Sequence, residues 1–227
     1  MNILITGCSR GIGRGFLEAF LLRKDIQKVF AVTTHAEGLK ALHDSSKGKL
    51  QILPFSVSEE SVVKQLQEAL GSETLDLLIN CAGTYPKEPD DFEKIKTATL
   101  DEGMRINTYS VLYCLQACLP ALTRAKHAKV VSMTSLMGSI SDNTSGGAYA
   151  YRMSKAALNM LNKSFANDYP EIISVVFHPG WVKTDMGGAG APTSIDESVK
   201  GMIKKIDQLQ SSDSGGFFDH EGDVVEW

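Results

Sequence analysis

Thr6-Gly7-Cys8-Ser9-Arg10-Gly11-Ile12-Gly13 joins the apolar run Asn2–Thr6 to a helical pattern over residues 12–23. Glycine lets the backbone turn sharply and approach a ligand closely, and a helix start offers free N–H groups and the positive end of the helix dipole. This order of strand, glycine-rich turn and helix predicts a pyrophosphate-binding turn. Because the spacing is G-x-x-x-G-x-G and not the commoner G-x-G-x-x-G, a plain tight connection is the alternative.

Beyond this turn, short β-branched runs alternate with helical patterns up to about residue 210. Near-continuous apolar strands are buried on both faces, and strand–helix alternation builds right-handed βαβ units. The sequence predicts one α/β domain over residues 1–227, a Rossmann-type doubly wound parallel sheet flanked by helices on both faces. Predicted strands are Asn2–Thr6, Lys28–Thr33, Leu50–Phe55, Leu75–Asn80, Lys129–Thr134 and Ser174–His178, with a closing edge strand near Gly216–Asp219; predicted helices lie near 12–23, 36–45, 59–70, 100–124, 148–168 and 195–209.

The composition argues against several classes of protein. The 227 residues carry 23 Lys+Arg and 27 Asp+Glu, a net charge of −4, so the concentrated basic face of a nucleic-acid binder is not expected. The longest uncharged stretch, Ile106–Thr123, contains Asn107, Gln116 and Pro120, which favours a buried helix over a membrane span. No signal peptide and no metal-ligand spacing of Cys or His is recognisable. We expect a cytoplasmic protein without metal, nucleic-acid or membrane partners.

Four polar side chains fall where ligands bind in such a sheet, beyond the carboxyl ends of its strands. Tyr151 and Lys155 are four residues apart, and so share one face of the helix 148–168. Ser135 follows the fifth strand directly. Asn107 lies within an otherwise apolar helix, where an amide needs hydrogen-bonding partners. Together with the glycine-rich turn, these positions indicate a catalytic group.

With these motifs the sequence resembles the short-chain dehydrogenase/reductase family, over nearly the whole chain. The resemblance rests on T-G-x-x-x-G-x-G at residues 6–13, N-x-A-G at Asn80-Cys81-Ala82-Gly83, the asparagine Asn107, the serine Ser135, Y-x-x-x-K at Tyr151 and Lys155, and a P-G turn with a later threonine at Pro179-Gly180 and Thr184. Residues 138–159 and 178–188 are similar to sniffer-type carbonyl reductases and to bacterial C-factor-like proteins.

The resemblance implies an oxidoreductase that uses a nicotinamide dinucleotide to reduce the carbonyl of an aldehyde or ketone by hydride transfer. Tyr151 is then the proton donor, and Lys155 favours its phenolate and holds the nicotinamide ribose. Ser135 donates a hydrogen bond to the carbonyl oxygen, and Asn107 holds a water that returns the proton through Lys155. The residues expected at the cofactor are Gly7, Ser9, Arg10, Gly11, Ile12, Gly13, Asn80, Ala82, Gly83, Tyr151, Lys155, Pro179, Gly180, Val182 and Thr184.

The chain departs from the family pattern in two places. Ser135 precedes Tyr151 by sixteen residues, slightly more than the family's usual spacing, and the extra residues fit a longer loop through Ser141–Gly147. The aspartate that the family usually has near the adenine, after the third strand, is Ser56 here. The alternatives that stay open are Ser132 or Ser139 for Ser135, and Tyr149 for Tyr151.

The residues near the adenosine end favour NADP(H), with NAD(H) as the alternative. An acidic residue after the second strand would bind the ribose 2′-OH of NAD, and no carboxylate follows that strand until Glu37. Arg10 lies in the glycine-rich turn, where its guanidinium could pair with a 2′-phosphate.

The substrate is predicted from the loops at the same edge of the sheet. The segments Thr84–Thr97 and Lys183–Ser194 are expected to cover the pocket. Tyr85, Trp181 and Met186 would give it an apolar lining, so we expect a small apolar aldehyde or ketone.

Two expectations concern partners and role. The family commonly assembles through the helices that match 100–124 and 148–168, which implies a homodimer or homotetramer. The alternative function, suggested by the C-factor resemblance, is a dinucleotide-binding signalling or regulatory protein in which catalysis is secondary.

Overall fold

A parallel sheet of seven strands lies at the centre of the computed structural model, which describes residues 1–89 and 91–227. The strand order is β3-β2-β1-β4-β5-β6-β7. Every neighbouring pair is parallel, so the order reverses between β1 and β4, and the predicted doubly wound α/β fold is confirmed. The strands are β1 (Asn2–Thr6), β2 (Lys28–Val32), β3 (Leu50–Leu53), β4 (Leu77–Asn80), β5 (Lys129–Met133), β6 (Ile173–His178) and β7 (Phe217–Asp219).

Helices cover both faces of the sheet. They are α1 (Gly11–Leu22), α2 (Lys40–Ser45), α3 (Val62–Leu70), α4 (Thr97–Met104), α5 (Ser110–Thr123), α6 (Tyr149–Asp168) and α7 (Ile195–Gln208). Short 3₁₀ turns lie at Ala36–Leu39, Phe92–Lys94, Leu136–Gly138 and Ser211–Asp213. Among the described residues, no helix combines the length and the apolar character needed to cross a bilayer.

The predicted helix 100–124 is wrong as a single element. The backbone is α-helical over α4, passes through one π-helical turn at Arg105–Tyr109, and becomes α-helical again in α5. A π turn adds a residue to the helix and is common at functional sites. Here it includes Asn107, whose side chain is completely buried and bonds to another segment of the chain.

Two apolar layers hold the helices on the sheet. On one face, Ile3 and Ile5 of β1 pack in a cluster with Phe16 of α1 and Met202 of α7. On the other face, Leu4 belongs to a second cluster with side chains of α3, α5 and α6. Successive residues of one strand therefore enter opposite layers, as in a sheet covered on both sides. The thiols of Cys114 and Cys118 in α5 pack in the second layer.

Helix α1 offers a matched test of this packing. Phe20 is 1% exposed and Leu22 is 86% exposed. We expect Phe20→Ala to lower the free energy of unfolding by about 3–5 kcal/mol, because it leaves a cavity in the core, whereas Leu22→Ala changes it by less than about 0.5 kcal/mol. Urea denaturation of both variants measures the difference. Equal effects would contradict this packing of α1.

Candidate active site

A cavity of about 700 Å³ opens at the carboxyl edge of the sheet, next to the point where the strand order reverses. Its lining includes these predicted site residues: Gly7, Ser9, Arg10, Gly11, Ile12, Gly13, Ala82, Gly83, Tyr151, Lys155, Pro179 and Thr184. In the described structure, five others are not part of the lining: Asn80, Asn107, Ser135, Gly180 and Val182.

The glycine-rich turn needs glycine for two different reasons. Gly7 and Gly11 have φ angles of 66° and 56°, the left-handed region that side chains rarely adopt. A Cβ on Gly7 would also lie 2.7 Å from the Cα of Ala82, and a Cβ on Gly13 would overlap the carbonyl oxygen of Gly7. The turn therefore packs backbone to backbone against the segment after β4, and leaves the start of α1 at the cavity wall.

Thr6 fastens the same two segments together. Its Oγ1 accepts hydrogen bonds from the backbone N–H groups of Cys81 (3.1 Å) and Ala82 (3.2 Å). Cys81 lines the cavity, but burial raises the pKa of its thiol to about 12, so it is a neutral group near pH 7. Asn80, a predicted cofactor residue, instead donates from Nδ2 to the hydroxyl of Ser132 (3.2 Å) and links β4 to β5.

Lys155 is a buried cation. Its side chain reaches the cavity from α6, the residue is 4% exposed, and Nζ donates to the carbonyl oxygen of Met133 over 2.7 Å. Burial lowers the pKa of Lys155 to about 8. The ammonium of Lys155 can therefore lose its proton near neutral pH, as expected for a group that takes part in proton transfer.

Tyr151 lies in the first turn of α6, beside this lysine. Nζ of Lys155 is 5.7 Å from the centre of the Tyr151 ring. Burial raises the pKa of Tyr151, the nearby side chain of Ser135 opposes this shift, and Tyr85 adds to it. The structure thus brings Ser135, Tyr151 and Lys155 close together, and their catalytic roles stay a prediction.

The alternatives to these residues make other contacts. Ser132 is buried in β5 and bonded to Asn80, and Ser139 lies next to Ser141, with 3.1 Å between the two Oγ atoms. Tyr149 is not part of the described cavity lining, and its ring packs on that of Phe92 with 5.0 Å between ring centres. These contacts favour Ser135 and Tyr151.

Asn107 holds the segment that follows β4. Its Oδ1 accepts from the N–H of Thr84 (2.8 Å), and its Nδ2 donates to the carbonyl oxygen of Thr84 (3.0 Å) and to Oγ of Ser154 (2.9 Å). The amide is therefore occupied by protein groups on both of its ends. Its predicted role as a holder of water stays a prediction, and what the geometry shows is a link between the π turn, the β4 loop and α6.

The loop after β6 forms the opposite wall. Thr184 lines the cavity and lies close to the glycine-rich turn, since a Cβ on Gly11 would be 3.5 Å from its Cγ2. Gly180, with φ of 84°, packs against the imidazole of His220. Val182 is buried and bridged to Thr193. Gly180 and Val182 are thus part of the loop that forms this wall, although neither belongs to the described cavity lining.

Arg10 and Asp185 form an ion pair across the mouth of the cavity, with Nη1 of Arg10 2.7 Å from Oδ2 of Asp185. The two side chains are 77% and 75% exposed. Exposed pairs of this kind contribute little to stability, so this pair can exchange for another partner of Arg10 at small cost. The residues that line the cavity just after β2 are Thr33, Thr34 and His35, of which none is acidic.

Glu88 is a residue of this site that was not predicted from the sequence. Its carboxylate accepts hydrogen bonds from the backbone N–H groups of Tyr149 (2.6 Å) and Ala150 (2.9 Å), the first two residues of α6. One signal was available in the sequence: the residues before α6, Gly146-Gly147-Ala148, include no side chain that can cap a helix. The first N–H groups of α6 were therefore left for water or for an acceptor from elsewhere in the chain.

The family model for short chain dehydrogenases matches residues 1–193. The chain belongs to the short-chain dehydrogenase/reductase family. C-signal of Myxococcus xanthus is 44% identical over 160 residues, which are 67% of this chain and 93% of that protein. Two carbonyl reductases are similar over 100% of this chain: the NADPH-bound enzyme from chicken fatty liver (35% identity, TM-score 0.90, 98% of that chain) and Sniffer of D. melanogaster (34% identity, TM-score 0.90, 99% of that chain).

In this short-chain dehydrogenase/reductase, the free energy of unfolding should depend on the charge of Lys155. Its folded pKa of about 8 is below the ordinary value of 10.5. Between these values the unfolded state binds the proton more tightly, so this residue makes the free energy of unfolding rise with pH. Lys155→Met removes that contribution. The difference in melting temperature, variant minus parent protein, should therefore fall as the pH rises above about 8.

Thermal melts of both proteins over that pH range measure the trend. Lys64→Met is the control, because this lysine of α3 has an exposed side chain whose ammonium is solvated in both states. A difference for Lys155→Met that does not change with pH would show that the ammonium is not buried.

Proposed function

We propose that this chain reduces the carbonyl group of an aldehyde or ketone to an alcohol, with NADPH as the cofactor. The observation that carries the proposal is the buried ammonium of Lys155 beside the phenol of Tyr151 and the hydroxyl of Ser135, at the edge of a cavity large enough for a dinucleotide. Membership of an oxidoreductase family and the likeness to carbonyl reductases, one of them NADPH-bound, support it.

The residues around the cavity fit a dinucleotide. The close approach at Gly7 and Gly13 packs the glycine-rich turn against neighbouring backbone, and the start of α1 lines the cavity, where a diphosphate would lie. Among the described residues, none provides a side-chain cap for that helix, so its first N–H groups are available to an anion. The residues that would hold the cofactor are Gly7, Ser9, Arg10, Gly11, Ile12 and Gly13 at the diphosphate end, and Ala82, Gly83, Tyr151, Lys155, Pro179 and Thr184 toward the nicotinamide, with Asn80, Gly180 and Val182 supporting them from behind.

When bound, the nicotinamide supplies the hydride for the carbonyl carbon. Tyr151 gives its phenolic proton to the carbonyl oxygen, and the positive charge of Lys155 stabilises the phenolate that remains. Ser135 donates a hydrogen bond to the same oxygen while negative charge develops on it. Since the phenol must be protonated, carbonyl reduction slows as the pH rises past the pKa of Tyr151.

The proposed substrate is apolar, because apolar side chains contribute to the cavity that Tyr151 lines. Ile106, Met133 and Met186 belong to the lining. In the described structure Tyr85, which was predicted to line the pocket, is not part of the lining, but its ring packs on that of Tyr151 with 4.7 Å between centres. Trp181, which the sequence analysis placed in this pocket, lies outside the cavity lining in the described structure, where its indole N–H donates to the carbonyl of Gly187.

We also propose a homodimer or homotetramer. Apolar side chains that are at least one-third exposed lie along the π turn and α6: Tyr109, Tyr149, Met153 and Met160. A second copy would bury them, as expected for exposed apolar surface in one contiguous region. Light scattering at micromolar concentration tests the assembly, and a monomer mass contradicts it.

Tyr151→Phe removes the proton donor and keeps the ring. We expect kcat to fall by at least about 10²-fold, because general acid catalysis contributes on that order, while the dissociation constant for NADPH changes little. NADPH oxidation with a panel of apolar aldehydes and ketones measures kcat, and fluorescence titration measures binding. Tyr149→Phe is the control and should keep full activity. Retained turnover in Tyr151→Phe would refute the proposal, and an intact biological output from an inactive variant would point to a regulatory dinucleotide-binding protein.

Arg10→Ala tests the preference for NADPH. Loss of a charge-assisted contact to the 2′-phosphate should raise the dissociation constant for NADPH by about 10- to 100-fold and leave that for NADH nearly unchanged. Asp185→Asn frees Arg10 from its ion pair and should leave NADPH binding equal or tighter. Calorimetric titration with both cofactors measures these constants. Equal weakening of NADPH and NADH in Arg10→Ala would contradict the assignment.

A further inference from the structure

The catalytic helix α6 begins without a cap of its own. Gly146, Gly147 and Ala148 all have φ in the left-handed region, at 67°, 65° and 47°. Ala148 occupies the cap position but has no side-chain acceptor, and a residue with a Cβ is strained in this conformation. The first N–H groups of α6 therefore depend on another segment of the chain.

Glu88 supplies both acceptors at once. Oε1 accepts from the N–H of Tyr149 and Oε2 from that of Ala150, over 2.6 and 2.9 Å. Because each oxygen has its own partner, the carboxylate fixes the direction of the helix start as well as its position. Its negative charge is also favourable at the positive end of the helix dipole.

The segment that carries Glu88 touches the catalytic group at two further points. Tyr85 packs on the ring of Tyr151, and the backbone of Thr84 is held by Asn107 through two hydrogen bonds. The residue that follows the two amides bound by Glu88 is Tyr151 itself. The segment after β4 is therefore bound to the π turn through Asn107 and to the start of α6 through Glu88, next to the phenol of Tyr151.

Helix α4 also packs against the first turn of α6, through Gly103. A Cβ on Gly103 would lie 2.8 Å from the carbonyl oxygen of Ala150, so the two helices meet at backbone distance there. With Glu88 on its N–H groups and Gly103 against a carbonyl, the first turn of α6 has little freedom to shift.

We propose that Glu88 is a positioning residue for the reaction, whose carboxylate holds the first turn of α6 so that the phenol of Tyr151 stays packed on Tyr85 and aligned with Ser135 and Lys155. This inference rests on the proposed function. Glu88 contacts no reacting atom and acts through the backbone of Tyr149 and Ala150.

Glu88→Ala removes both acceptors. We expect kcat to fall by about tenfold or more, since a misplaced reacting group lowers the rate by up to about 10²-fold, with the dissociation constant for NADPH unchanged. Loosened packing of Tyr85 should let water reach the phenol, so the pH above which carbonyl reduction is lost should move down. Hydrogen exchange at the amides of Tyr149 and Ala150 should become faster, which reports on the helix start independently of activity.

Asp76→Ala is the matched control. Oδ2 of Asp76 accepts from the N–H of Asn2 over 2.6 Å, the same kind of contact, at the opposite edge of the sheet. It should lower the melting temperature while kcat and the pH profile stay as in the parent protein. Glu88→Gln keeps the shape and one acceptor oxygen, and should fall between the parent protein and Glu88→Ala in kcat. This variant carries the test if Glu88→Ala does not fold.

The outcomes separate the two proposals. If Glu88→Ala and Glu88→Gln lose only melting temperature, and keep the kcat and pH profile of the parent protein while Tyr151→Phe is inactive, Glu88 is a structural cap and the inference fails alone. If Tyr151→Phe remains active, the proposed function fails, whatever the Glu88 variants do.

Discussion

The site depends on one contact between two stretches of backbone, Gly7 after β1 and Ala82 after β4. A side chain at Gly7 would occupy the space of Ala82, so the contact exists only because position 7 has none. The two strands that lead into it are paired, and Thr6 bonds to the amides of Cys81 and Ala82 at the same place. This is the switch point of the sheet, where helices leave on opposite faces and a crevice remains between them. The glycine-rich turn and the β4 loop are therefore parts of one wall.

Lys155 lies beside that crevice, and its burial disfavours the charged form of its side chain. Lys155 is held out of water by the packing of α6, and its ammonium has a backbone carbonyl as its partner. Such a group destabilises the folded state by itself, and the two apolar layers on the faces of the sheet offset this cost. In return, a charge with little hydration lies beside the phenol of Tyr151. The buried charge thus lowers stability at a position where the proposed reaction would use it.

Much of this architecture was readable from the residue pattern, because buried parallel strands give apolar runs and a glycine-rich turn has a strict backbone requirement. Strand limits agree with the predicted ones within two residues. The interruption of the helix 100–124 was not readable. It depends on Asn107 bonding to Thr84, and no local signal marks the π turn. The missing local cap of α6 was visible in the sequence, but Glu88 could not be assigned to it, because the contact joins residues 61 positions apart. Asn80 and Trp181 were expected at the cavity. Their side chains instead form hydrogen bonds with Ser132 and with the carbonyl of Gly187.

The parallel pairing of β1 with β4 also affects how the protein can be made. The glycine-rich turn precedes the rest of the cavity wall in the chain, and it has no opposite wall until Thr184 has been synthesised. The register that pairs Ile3 with Leu77 requires a long segment to be synthesised before β1 acquires this neighbour. Contacts between distant residues form late, because their chain entropy must be lost first. A nascent chain that stops before the loop after β6 would carry the glycine-rich turn without the opposite wall of the cavity, so the cavity is complete only after Thr184 has been synthesised.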